Sequence, residues 1–140
     1  YQKYKYTISA FKIINELLPT FFPSSEIYKI TIDYLKSLIE DSNNVEKLYL
    51  FWLYKVIYSL NEIDHLLHCK GCGLNNVSFY VKGNGMYCNK CLNKGDFVIK
   101  NYELEFLRNL NNFSFETIKS VRIDVQKFIE IFEDSILNVL

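Results

Sequence analysis

Cys69-Lys70-Gly71-Cys72 and Cys88-Asn89-Lys90-Cys91 stand fifteen residues apart and contain every cysteine of the chain. Two Cys-x-x-Cys hooks at this separation have the spacing of a structural zinc site. Two thiolates with two residues between them grip one metal ion from a tight turn. A second hook, returned by a short hairpin, completes a tetrahedron of soft sulfur donors. Gly71 and Gly73 lie in and just after the first hook, where glycine relieves crowding. Between the hooks, Ser78-Phe79-Tyr80-Val81 reads as a strand, Lys82-Gly83-Asn84-Gly85 as a turn, and Met86-Tyr87 as the return to Cys88. Cys69, Cys72, Cys88 and Cys91 are therefore the candidate ligands of one Zn2+.

Other uses of the same residues need a different setting. Two disulfides would require an oxidising compartment, usually that of a secreted chain. A thioredoxin-like redox pair requires one hook in a strand-helix-strand context. His65 and His68 precede the first hook, and either is able to replace a cysteine; a solvated or capping role suits them better, because four thiolates already fill the shell. A filled shell leaves no position for water or substrate, so the zinc is expected to be structural. In small zinc modules its binding contributes of order 10 kcal/mol or more to folding.

Upstream of the hooks, residues 48–60 read Leu-Tyr-Leu-Phe-Trp-Leu-Tyr-Lys-Val-Ile-Tyr-Ser-Leu, with Lys55 as the only charge. A helix apolar on every side is a central one, and thirteen residues are too few to span a membrane. Two amphipathic helices precede it. In the first, Thr7 or Ser9 is the expected cap, Ala10, Ile13, Ile14, Leu17 and Leu18 the stripe, and Pro19 and Pro23 the end. Residues 1–6 are expected to be a linker or the end of a strand. In the second, Ser24 and Ser25 cap a stripe of Ile27, Ile30, Tyr34, Leu35 and Leu38, and Asp41-Ser42-Asn43-Asn44 forms a loop. After the second hook comes a short strand at Phe97-Val98-Ile99. A helix capped by Asn101 follows, with Leu104, Leu107 and Leu110. The last helix carries Val121, Val125, Phe128, Phe132, Ile136 and Val139 inward and Glu130, Glu133 and Asp134 outward. The expected fold class is mainly α: about five helices in one domain over residues 1–140, with a zinc hairpin over 69–91 inserted in it.

Composition narrows the function. The chain of 140 residues is 49% apolar and 16% aromatic, which is globular. Lys/Arg and Asp/Glu balance at sixteen each. Residues 1–60 carry seven basic to six acidic side chains, residues 61–100 five to three, and residues 101–140 four to seven. No strong basic field exists for tight electrostatic binding of nucleic acid. Lys70, Lys82, Lys90 and Lys94 around the hairpin are the candidate DNA-backbone contacts, although solvated loop lysines would look the same. Ala10 is the only alanine, and the abundance of Asn, Ile, Lys, Tyr and Phe reads as codon bias, so the tyrosines are no stacking signal. The only methionine is Met86, so Tyr1 is not a translation start and a preceding segment is expected. There is no secretory signal pattern, and free metal-bound thiols suit a reducing cytosol. No Gly-x-Ser-x-Gly elbow, phosphate-binding glycine loop, open three-ligand metal site or His-x-Glu deaminase element is present, so no enzyme activity is expected.

Three features together resemble the RecO family of bacterial DNA repair proteins, over its C-terminal helical domain. They are the apolar helix Phe51–Leu60, the hairpin from Cys69-Lys70-Gly71-Cys72-Gly73 through Phe79-Tyr80 and Gly83-Asn84-Gly85 to Cys88-Asn89-Lys90-Cys91, and the order of helices around them. The resemblance covers nearly the whole chain. It implies an N-terminal DNA-binding OB-fold upstream of Tyr1, and a non-enzymatic role in annealing strands coated by single-stranded-DNA-binding protein and in helping RecR load RecA. It also implies that the helical domain docks the acidic C-terminal tail of the single-stranded-DNA-binding protein, that one zinc is structural, and that the location is the bacterial cytoplasm, at the nucleoid during repair. DNA would be met mainly through the OB-fold, and no membrane partner is implied. The chain departs from the family at its C-terminus, where a basic tail is usual and where Asp134 stands in place of a common histidine. The competing expectation is a generic zinc-ribbon helical module of a transcription or translation accessory protein. A weaker third is a zinc redox switch, which would require reactive thiols.

Overall fold

The computed structural model describes residues 2–21, 25–41 and 43–139. It is mainly helical. In order come α1 (Gln2–Phe21), α2 (Ser25–Glu40), α3 (Val45–Ser59), the single turn α4 (Asp64–Leu67), strands β1 (Phe79–Val81), β2 (Gly85–Tyr87) and β3 (Phe97–Val98), α5 (Asn101–Asn109), two 3-10 turns (Leu110–Asn112 and Thr117–Ser120) and α6 (Val125–Val139).

Helix α3 is the centre, as its composition predicts. Leu48, Tyr49, Leu50, Phe51, Trp52, Leu53, Tyr54, Val56 and Ile57 are all buried, and α1, α2, α6 and the second 3-10 turn pack around it. Each such side chain contributes roughly 1.5–3 kcal/mol by leaving water. Polar atoms in this core are mostly paired. The Trp52 indole N–H donates to Thr31 Oγ1 at 3.1 Å, and that hydroxyl donates to the Ile27 carbonyl at 2.8 Å. The Tyr49 hydroxyl donates to Glu133 at 2.7 Å. Tyr34 is the exception: it is fully buried, and its hydroxyl has no hydrogen-bond partner among the described residues.

The N-terminal segment differs from the expectation. Residues 2–6 are neither linker nor strand but the first turns of α1. Tyr6 drives this: it is buried and stacks on Tyr49 with ring centroids 4.7 Å apart. Thr7 and Ser9 do not cap; their hydroxyls donate back to the carbonyls of Lys3 and Lys5, the habit of Ser and Thr inside a helix. Pro19 does not end α1, which continues to Phe21. Pro23 and Ser24 lie outside the described residues, and Ser25 is the first residue of α2 rather than its cap.

Further on, Asn101 is likewise inside its helix. The cap position is Lys100, whose N–H donates to Glu103 Oε1 at 2.9 Å. Val121 falls before α6, which starts at Val125 because Asp124 accepts the Lys127 N–H at 3.1 Å. Glu133 and Asp134 are not on an outer face. Glu133 meets Tyr49, and Asp134 meets the hairpin.

The three strands form a small antiparallel sheet in the order β2-β1-β3. Tyr80 pairs with Met86 on one side and Phe97 on the other. The alternation of β1 and β2 sends Tyr80 and Met86 inward. Both belong to the same buried cluster as α3 and α6, so the hairpin is seated on the helical core. Asp134 locks it there: one carboxylate oxygen accepts the Tyr80 hydroxyl at 2.6 Å and the Gly83 N–H at 2.9 Å. A second tie lies at the other end of α6. Glu103, 1% exposed, takes two contacts from Lys127 Nζ at 2.6 and 2.7 Å, and Lys127 also donates to the Val98 carbonyl at 3.0 Å.

Candidate metal centre

The two hooks converge. The four sulfurs of Cys69, Cys72, Cys88 and Cys91 all lie within 4.8 Å of one another, and the Cys72 and Cys88 sulfurs are 3.6 Å apart. A tetrahedral ion with metal–sulfur bonds of about 2.3 Å sets its sulfurs about 3.8 Å apart, so the donor set fits such an ion in number, chemistry and spacing.

Local structure explains the convergence. Helix α4 ends at Leu67, and the chain turns extended at His68. The first hook then folds on itself: the Gly73 N–H donates to the Cys69 carbonyl and the Cys69 N–H to the Leu74 carbonyl. Gly73 takes φ +79°, a conformation that residues with a side chain rarely adopt. Gly71 is required for space, since a Cβ there would lie 2.9 Å from the Cys91 sulfur. The second hook repeats the device, with the N–H groups of Cys91 and Leu92 donating to the Cys88 carbonyl. The Lys70 N–H donates to the Met86 carbonyl and joins the first hook to the hairpin.

The electrostatics divide the thiols in two. Burial pushes the Cys69 thiol up, but the N–H groups of Cys88, Cys72 and Gly71 outweigh it and hold Cys69 at about 6. Burial likewise raises Cys88, and the N–H groups of Cys91 and Lys90 bring it below the ordinary thiol value. Cys91 is pushed up to about 12 by the Cys69 and Cys88 thiols and by desolvation. At Cys72 the Leu74 N–H lowers the value, but desolvation and the Cys88 and Cys69 thiols together raise it. Backbone N–H groups thus favour thiolates at Cys69 and Cys88, while at Cys91 and Cys72 the neighbouring thiols oppose further negative charge. A dication supplies the counter-charge that four adjacent thiolates need. Cys69 and Cys88 are buried, while Cys72 and Cys91 reach the surface.

The other residues singled out in the sequence lie around this centre. His65 pairs with Glu62 at 2.6 Å, and His68 Nδ1 lies 3.0 Å from the Asp64 carbonyl oxygen. Among the described residues, the cluster placed to hold a metal ion consists of the four cysteines without either histidine. Lys70 donates to the Asn84 carbonyl at 2.8 Å, and Lys82 lies over the Phe97 ring at 5.5 Å; Lys90 and Lys94 are exposed. A cleft of about 580 Å³ opens between the first hook, the turn at 83–85 and the end of α6. Its lining mixes Glu62 and Asp64 with His65, His68 and Lys70. Sequence reasoning missed Asp134 and Glu103 as residues that hold the centre's surroundings. Asp134 has no local signal, since its partner Tyr80 is 54 residues away; Glu103 has the capping-box spacing to Lys100, but its partner Lys127 is 24 residues away.

Fold and site together define a mainly helical protein with a four-cysteine candidate metal centre in a small inserted sheet. Comparison of the chain with protein-family models, with curated proteins and with solved structures finds no match. Among the described residues, no helix is long and apolar enough to cross a membrane.

Proposed function

We propose that the four cysteines hold one Zn2+ as a structural staple in a non-enzymatic docking domain, and that this domain serves a DNA recombination mediator of the RecO kind. The observation that carries the zinc assignment is the convergence of four thiols, two of them buried, on one point. Zinc accepts four thiolates in a tetrahedron and leaves no open position, so the ion's role is to cross-link the two hooks. The chain's own residues then transmit that cross-link. The hairpin presses Tyr80 and Met86 into the helical core, and Asp134 ties its turn to α6.

The recombination reading is supported by the resemblance of residues 51–60 and 69–91 and by the helix order around them. In this reading the domain docks the acidic C-terminal tail of single-stranded-DNA-binding protein and works with RecR in the bacterial cytoplasm. DNA is engaged mainly by an OB-fold preceding Tyr1.

Metal analysis of the purified chain tests the first half: one zinc per chain, released by a thiol-modifying mercurial, is the expected result, and another metal or none refutes it. Titration of the zinc-loaded chain with a fluorescent acidic peptide ending in Pro-Phe tests the second. Binding that is lost on amidation of the peptide's terminal carboxylate is expected. A folded chain that binds neither form points instead to a generic zinc-ribbon interaction module.

A further inference from the structure

Helix α1 has two apolar faces, and the core uses only one. Tyr6, Ala10 and Leu17 are buried. On the other side Tyr4, Ile8 and Phe11 are 74%, 42% and 49% exposed. These three residues follow the 4-then-3 spacing of a coiled-coil seam, d-a-d in heptad notation. Asn15 occupies the next a position, is exposed, and is the polar residue type that fixes register in such seams. Lys5 and Lys12 are exposed, stand one heptad apart and both fall at e, the flanking position that sets partner choice by charge. No Asp or Glu occurs before Glu16.

We propose that this outer face of α1 is a docking seam for an acidic amphipathic helix of a partner protein. The flanking charges select that occupant. In a parallel pair of two copies, Lys12 would face the g position of the preceding heptad, Thr7, which carries no charge. In an antiparallel pair, e faces e and lysine meets lysine. Either arrangement leaves the lysines unmatched or opposed, whereas Glu or Asp on a foreign helix pairs with them. A lipid surface fits less well. The apolar stripe is one seam wide and gives way to Asn15 and Glu16, while helices that lie in a bilayer interface carry a broad apolar face. The seam stands apart from the recombination reading, which concerns a peptide tail read through its terminal carboxylate.

The test uses the full zinc-loaded chain and a labelled three-heptad peptide, acetylated and amidated, with Leu at a and d and Glu at e and g. Its counterpart carries Lys at e and g. Fluorescence anisotropy should show the Glu peptide binding about fourfold to thirtyfold more tightly than the Lys peptide. The double variant Ile8→Ser/Phe11→Ser, at two half-exposed sites, should lose Glu-peptide binding while its circular dichroism shows a chain still folded at the assay temperature. Lys5→Glu/Lys12→Glu should reverse the preference between the peptides. Equal binding of both peptides, or binding that survives Ile8→Ser/Phe11→Ser, overturns the proposal. So does self-association of the chain in sedimentation that this variant abolishes. Adsorption to phosphatidylglycerol vesicles without Glu-peptide binding overturns it as well.

Discussion

Replacing Asp134 with alanine should loosen the whole zinc hairpin, although the residue lies outside the metal-binding loop. Its carboxylate accepts the Tyr80 hydroxyl at 2.6 Å and the Gly83 N–H at 2.9 Å. Hydrogen bonds to a charged group contribute about 1.5–3 kcal/mol each, and a buried donor left unpaired costs about 1–3 kcal/mol. The two ends of the contact differ. Gly83 is exposed, so its N–H recovers water; Tyr80 is fully buried, and its hydroxyl keeps only the long 3.4 Å contact with Ser135 Oγ. The loss is therefore dominated by Tyr80, and Asp134→Ala should destabilise the metal-loaded chain by about 2–4 kcal/mol. For a chain of this size that is a fall in Tm of about 5–15 °C. Tyr80→Phe removes the same donor without orphaning it, so the double variant Tyr80→Phe/Asp134→Ala should cost less than the sum of the single changes. Urea unfolding of all four proteins, at saturating zinc, measures the coupling directly. Strict additivity, or a loss below about 0.5 kcal/mol for Asp134→Ala, would refute the claim that this carboxylate holds the hairpin on α6.

Other expectations concern single groups. Lys127→Met leaves the buried Glu103 carboxylate with the Lys100 N–H but without its counter-charge and should cost about 3–5 kcal/mol in chemical denaturation, with Glu103→Gln/Lys127→Met recovering most of the loss. Tyr34→Phe removes a buried hydroxyl that has no partner among the described residues, so unfolding free energy should stay within about 0.5 kcal/mol of the parent or rise. At Asp41, hydrogen bonds from the Asn43 N–H and the Asn44 side chain, with Lys119 at 3.2 Å, hold the carboxyl at about 2, below its ordinary 3.8. A depressed carboxyl stabilises the fold above its unfolded value and loses that contribution as pH falls, so Asp41→Asn should flatten the acid limb of the stability curve between about pH 4 and 2 and leave its shape at neutral pH unchanged. Gly71→Ala should weaken metal retention in a chelator competition, because the added methyl meets the Cys91 sulfur; an unchanged affinity would show that the hook yields without cost.

Much of this protein is legible in one dimension because its decisive spacings are short. Two cysteines three residues apart are held together by one turn, so Cys69 with Cys72 and Cys88 with Cys91 identify the hooks without any tertiary information. The turn at 82–85 brings the hooks back, and an apolar run with one lysine can only be a central helix. Residues whose role depends on a distant partner were not legible. Tyr6 belongs to a helix because it stacks on Tyr49, 43 residues along, and not through its neighbours Lys5 and Thr7. Glu133 and Asp134 look like an ordinary solvated pair on α6 until packing brings Tyr49 and Tyr80 against them. A carboxylate carries no local sign of its hydrogen-bond donor, and helical periodicity places a residue on a face without saying what that face meets. The sequence alone thus determined the four-thiol centre and the central helix. Tertiary structure alone decided what anchors that centre to the core, because the anchor joins residues 54 positions apart that only helix packing brings within 2.6 Å.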